Sequence, residues 1–105
     1  MQDINIIIFG CQNNDRKAQK ELYDLLGPKL YPVCLRYTQT VPDAQDCLQE
    51  SFVRIFKYIE KYKEQEGASF LAWAKKITVN VAIRSIQKKN PLKESFELNL
   101  SLIHI

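Results

Sequence analysis

Histidine is nearly absent from this 105-residue chain, with a single copy at His104. Cysteine occurs three times, at Cys11, Cys34 and Cys47, far apart and outside any C-x-x-C or Cys/His cluster. A zinc site needs several such ligands at short spacing, so none is expected, and no cofactor is implied. Free, buried thiols in a reducing compartment are the simplest reading. Glycine is confined to positions 10, 27 and 67, and helical spacing leaves almost no strand to assign. Long hydrophobic runs are also missing. Ile4–Phe9 follows an acid, lacks a basic flank, and is too short for a signal peptide or a membrane span. A soluble, cytoplasmic protein is therefore expected. No nucleophile–base pair, metal cluster or phosphate-binding loop is present, which puts an enzyme last among the function classes.

One further absence is local. From Ala68 to Lys89 there is no acidic residue and there are five basic ones. Residues 1–60 hold 7 Lys/Arg and 8 Asp/Glu, whereas residues 61–105 hold 8 Lys/Arg and 4 Asp/Glu. The overall charge of +3 is too mild to argue for nucleic acid. Its uneven distribution suggests two kinds of partner on two parts of one small domain.

The helical pattern predicts an all-α, compact bundle of about four helices with a C-terminal linker tail. A short first helix is expected over Asp3–Gly10. Asn14 or Asp15 can cap a second through Leu26, with Ala18, Leu22, Leu25 and Leu26 inward. Gly27 would end it and Pro28 would open a third helix, about Lys29–Thr38, presenting Leu30, Val33, Cys34 and Tyr37. Pro32 falls in its first turn and need not break it. Thr40 offers the next cap, with Asp43 in capping-box position, a weaker partner than Glu. That long helix should run to about Tyr62. The polar loop Lys63–Ser69 and a last helix, about Phe70–Lys89, follow, and Asn90-Pro91 stops it.

The long helix is the most informative element. At about 100° per residue, Ala44, Leu48, Phe52, Ile55, Phe56 and Ile59 gather in one apolar arc. Asp46, Gln49, Glu50, Val53, Arg54 and Lys57 gather opposite. Two acids, an amide and bases around an outward valine have the composition of a docking surface; the plainer alternative is a solvated face with Glu50–Arg54 paired. The last helix carries two apolar sides, Phe70, Trp73, Ala74, Ile77 and Val81 on one and Ala72, Val79, Ile83 and Ile86 on the other. Packing on both sides is expected. The basic residues Lys75, Lys76, Arg84, Lys88 and Lys89 must then emerge at the edges and the C-terminal end.

The run Asp43-Ala44-Gln45-Asp46-Cys47-Leu48-Gln49-Glu50-Ser51-Phe52 resembles region 2.2 of sigma-70-type RNA polymerase sigma factors. It is closest to the extracytoplasmic-function (ECF) group, with its pattern DAEDLVQEVFLRVW. Phe70, Trp73, Ile77 and Asn80 match that group's F-x-x-W-x-x-x-I-x-x-N. Asn14-Asp15-Arg16-Lys17-Ala18 with Leu22-Tyr23 is similar to its opening G-D-x-x-A…L-Y. The likeness covers about residues 6–90; the long-helix motif is specific, and either of the others alone is weak.

This resemblance implies region 2 of a sigma factor over residues 1–90. Its partners would be the β′ clamp helices of core RNA polymerase and the non-template strand of the promoter −10 element, with an anti-sigma factor as a further candidate. By the family's pattern, Asp46, Gln49 and Glu50 dock on polymerase with Arg54 and Lys57, and Val53 supplies apolar contact. The loop Lys63–Ser69 would capture an extruded base, and Lys75, Lys76, Asn80, Arg84 and Lys88 would hold the neighbouring strand. Phe70 and Trp73 read as core rather than stacking platforms. Asn80 is either a buried packing amide or a DNA contact.

This sequence departs from the pattern in places. Cys47 stands for an aliphatic residue, Gln45 for Glu, Val79 for the Arg of I-A-R-N, and Arg84 for a frequent Asp. The last two bear on promoter preference. The family has a second domain, region 4, and the native protein is expected to continue into it. Residues 91–105 are expected to be a linker ending before it. The stretch Leu100–Ile105 can be encoded by CTG TCT CTT ATA CAC ATC, the mosaic-end sequence of a library transposon, so it is expected to be adapter-derived. Two other classes compete. A helical protein-interaction module would not need the basic, acid-free last helix. A double-stranded-DNA repressor would need an exposed recognition helix and a dimer surface, and neither is seen.

Overall fold

Chain entry is set by Asp3, whose carboxylate accepts a hydrogen bond from Asn5 N at 3.0 Å and so caps the first helix. The computed structural model describes residues 3–64 and 69–89, the last of these by its backbone alone. Helix α1 spans Ile4–Gln12, α2 Arg16–Thr38, α3 Val41–Tyr58 and α4 Phe70–Lys89, with a 3₁₀ turn at Ile59–Lys61. There is no strand among the described residues. The all-α bundle of about four helices is the architecture expected. Helix α1 runs two residues further than its pattern suggested. The stop at Asn90-Pro91, the tail 91–105 and the middle of the loop Lys63–Ser69 lie outside the described residues.

The expected break at Gly27-Pro28 does not exist. Asp15 caps α2 by accepting from Lys17 N at 3.0 Å, and the helix then runs 23 residues with Pro28 and Pro32 inside it. Each proline removes one helical hydrogen bond and crowds the preceding turn. Against that cost stands a stripe at four-residue spacing, Ala18, Leu22, Leu26, Leu30 and Cys34, all buried. Fully burying one such leucine is worth about 1.5–3 kcal/mol. The stripe stays in register only if the helix continues. Leu25, expected inward, falls off it and is 38% exposed. The helix ends at Gln39, which takes the left-handed conformation (φ 69°) and donates its N–H to Leu35 O at 2.8 Å.

Helix α3 begins where Thr40 Oγ1 accepts from Asp43 N at 3.3 Å. Its α-helical turns stop at Tyr58, and the expected extension to about Tyr62 is the 3₁₀ turn. Gln12 fixes that turn from α1, its Nε2 donating to Ile59 O at 3.0 Å and Tyr62 O at 3.1 Å. Ser69 Oγ caps α4, accepting from Ala72 N at 3.0 Å.

Helices α2, α3 and α4 pack pairwise and α1 lies on α2. Their shared core takes Ile7, Ile8 and Cys11 from α1, the α2 stripe, the apolar arc of α3 and Phe70, Ala74, Val81 and Ala82 from α4. Two buried hydroxyls are satisfied within their own helices, Ser51 Oγ donating to Cys47 O at 2.7 Å and Thr78 Oγ1 to Ala74 O at 3.0 Å. Helix α4 is not packed equally on two sides. Its buried line runs Phe70–Ala74–Thr78–Val81–Ala82, while Val79, Ile83 and Ile86 are half-buried and Ala72 is exposed. Both neighbours, α2 and α3, reach α4 from one side, which leaves the second apolar stripe at the margin.

Candidate docking and nucleic-acid surfaces

Because the apolar arc of α3 is committed to the core, the opposite side of the same helix must face out. Asp46, Gln49, Glu50, Val53 and Lys57 are exposed, and Arg54 is half-buried. Val53 is 61% exposed in the middle of these charges, and the fold makes no packing use of it. Arg54 Nε lies 3.2 Å from Glu50 Oε2, so the expected i,i+4 pair forms. Lys57 Nζ sits 5.6 Å from the centre of the Tyr58 ring.

The α4 candidates Lys75, Lys76, Asn80, Arg84 and Lys88 are all exposed. Exposure excludes the buried-packing reading of Asn80. Lys76, Asn80, Arg84 and Lys88 recur at four-residue spacing along one exposed side of α4, and Lys75 lies one residue off that row. Arg84 and Lys88 line a cleft of about 470 Å³ between α3 and α4, facing Asp46, Glu50 and Arg54. Asn80 lies on an adjoining hollow with Arg54, Tyr58, Ile77 and Arg84. Lys75 and Lys76 line neither. The sequence placed the acids of α3 and the bases of α4 with different partners, yet the fold sets Arg84 and Lys88 across from Asp46 and Glu50.

Phe70 and Trp73 form an aromatic cluster with Tyr62, at ring separations of 4.9 Å (Tyr62–Phe70), 5.0 Å (Tyr62–Trp73) and 5.1 Å (Phe70–Trp73). Phe70 is buried and Trp73 half-buried, as expected of core residues. Sequence reasoning missed Tyr62 as the partner that joins the loop's start to α4. It also missed Tyr58, which is 43% exposed beside Asn80. The signal for Tyr58 was its position one turn beyond Arg54, on the polar side of α3.

No group of three or more metal-ligating side chains occurs among the described residues. Nor is any described helix long and apolar enough to cross a membrane.

Comparison with known proteins gives this geometry a context. The sigma-70 region 2 family matches residues 22–91, which includes the whole of α3, the loop and α4. The chain belongs to the sigma-70 region 2 family. It is 30% identical over 80 residues to the ECF RNA polymerase sigma factor SigW of Bacillus subtilis (strain 168), a match covering 76% of this chain and 42% of that protein. It is 25% identical over 73 residues to the ECF RNA polymerase sigma factor SigE of Mycolicibacterium smegmatis, covering 70% of this chain and 27% of that protein. The region 2 chain thus spans less than half the length of these curated relatives. No solved structure matches it significantly.

Proposed function

We propose that residues 1–90 act as region 2 of an ECF-type sigma factor in transcription initiation in the bacterial cytoplasm. In this reading α3 docks on the β′ clamp helices of core RNA polymerase, and the loop and α4 hold the −10 element. The observation that carries it is the exposed patch Asp46, Gln49, Glu50 and Val53, on the family's most specific motif and unused by the fold. A helix laid against a helical pair needs this composition, an apolar centre for contact and charges around it for register and on-rate. Lys57 and the half-buried Arg54 complete the rim.

The cations and Asn80 of α4 then meet the displaced non-template strand. Phosphates are neutralised by Lys75, Lys76, Arg84 and Lys88, while Asn80 offers an amide to a base edge. An extruded base taken up by the loop Lys63–Ser69 would be held out of the duplex, so melting follows from trapping and requires no ATP and no catalytic residue. An anti-sigma factor is a further candidate partner in this reading.

The test is binding of the chain, with and without core polymerase, to single-stranded −10 DNA at two salt concentrations. Binding should weaken as salt rises and should weaken further in a Lys75→Gln/Lys76→Gln/Arg84→Gln variant. Binding that ignores both salt and these substitutions contradicts the assignment, and favours a purely protein-binding module.

A further inference from the structure

The hollow beside Asn80 is lined from two helices, by Arg54 and Tyr58 of α3 and by Ile77, Asn80, Val81 and Arg84 of α4. Its volume is about 200 Å³. Val81 is buried and Ile77 half-buried, so part of the lining is apolar and anchored in the core. Two further lining groups are left unused by the fold. Tyr58 is 43% exposed, and its hydroxyl has no hydrogen-bond partner among the described residues. Asn80 is exposed, and its amide has none among them either. No acidic residue lines this hollow, whereas the neighbouring cleft carries Asp46 and Glu50.

An exposed aromatic ring beside apolar side chains, with an amide and two guanidinium groups around them, matches the chemistry of a nucleobase. Any base has a π-face to stack on the ring, and an amide can both donate to and accept from a base edge. Arg54 and Arg84 add N–H donors and positive charge where phosphates must pass. Arg54 Nε has no hydrogen-bond partner among the described residues. One cation stands near the ring. Lys57 Nζ is 5.6 Å from its centre, toward the outer limit of about 6 Å for a cation–π contact. That side chain is exposed and long, so it can move aside for a base at little cost. The hollow also lies on the polar row of α4, where Lys76, Asn80, Arg84 and Lys88 follow one another about 6 Å apart along the axis. A strand that follows this row passes the hollow at Asn80.

Resting on the reading of α4 as the surface for the displaced strand, we propose that the α3–α4 hollow holds one unpaired nucleobase of that strand and that Tyr58 is its stacking platform. Asn80 meets the edge of this base, and Arg54 and Arg84 neutralise the phosphates beside it. The base is distinct from the one assigned to the loop Lys63–Ser69, because Asn80 lies about three helical turns beyond Ser69. The DNA surface then straddles α3 and α4. Tyr58 and Arg54 bring α3 into it one turn past Glu50, so the docking face and the strand meet along a single helix. Stacking tolerates every base, so Tyr58 supplies grip on an opened strand, and any choice between bases falls to Asn80.

The experiment uses the full chain, alone and with core RNA polymerase. The probe is a short single strand of thymidines carrying one central 2-aminopurine, whose fluorescence falls when it stacks. The same strand with an abasic site at that position is the control. Wild type should quench the 2-aminopurine. Tyr58→Ala should abolish the quench and weaken binding at least about fivefold, whereas Tyr58→Phe should keep both. On the abasic strand, wild type and Tyr58→Ala should bind alike. If wild type binds the strand in a salt-dependent way and Tyr58→Ala binds and quenches equally well, this proposal is overturned while the reading of α4 stands. Failure of wild type to bind the strand, alone or with polymerase, overturns both. Loss of polymerase affinity in Tyr58→Ala with unchanged DNA binding would give the hollow to a side chain of polymerase, and also overturns the proposal.

Discussion

Arg54 Nε approaches Glu50 Oε2 to 3.2 Å across one turn of α3, close enough for an ion pair but off the line of a hydrogen bond. The guanidinium Nε is buried without a hydrogen-bond partner, while the two side chains remain 34% and 50% exposed. A pair this exposed is heavily screened, so it contributes little to folding. Both groups stay available to an incoming surface.

Removing the pair should therefore leave the fold intact. Glu50→Gln is expected to change unfolding free energy by less than about 1 kcal/mol, measured by urea denaturation. A loss several times larger would mean that Glu50 is a structural residue and not a surface contact.

The two described glycines should respond in opposite directions to alanine. At Gly27, inside α2, an added Cβ meets nothing within 4 Å, so Gly27→Ala should stabilise the chain by about 0.5–1 kcal/mol through helix propensity. At Gly10 the added Cβ would come within 2.5 Å of Ala18 Cβ, and α1 would have to lift from α2. Gly10→Ala should cost about 1–3 kcal/mol. Thermal melts of both variants check the contrast; stabilisation by both would contradict the close approach of α1 to α2.

Alkaline stability follows from Cys11. Burial, with Asp15 and Glu21 adding, pushes its thiol from 9.0 up to about 11. The folded chain thus holds this proton more tightly than the unfolded chain does. The resulting stabilisation is complete below the unfolded value and is lost as pH rises from about 9 through about 11. Cys11→Ala should make the decline of unfolding free energy over this window shallower, whatever its effect at neutral pH. An unchanged slope would contradict the burial of this thiol.

The sequence made α3 legible because one helix carries both its signals. The apolar arc Ala44–Leu48–Phe52–Ile55 is buried, and the outward set Asp46, Gln49, Glu50 and Val53 is exposed, as periodicity required. Gly27-Pro28 is a local stop signal, but the buried stripe from Ala18 to Cys34 runs straight through it. Tertiary burial outweighed local propensity there. Helix spacing also could not show which residues of different helices would meet. That Arg84 and Lys88 face Asp46 and Glu50 depends on how α3 and α4 are set against each other.

The central claim is that the outward face of α3 binds core RNA polymerase. The direct measurement is the affinity of the chain for purified core polymerase, comparing wild type, Asp46→Ala/Glu50→Lys and a charge control, Glu60→Lys, at an exposed position on the 3₁₀ turn. The double variant should keep its helical content and lose at least about tenfold in affinity, a change of about 1.4 kcal/mol, while the control stays within about twofold of wild type. Retention of polymerase by the double variant at wild-type affinity would contradict the claim.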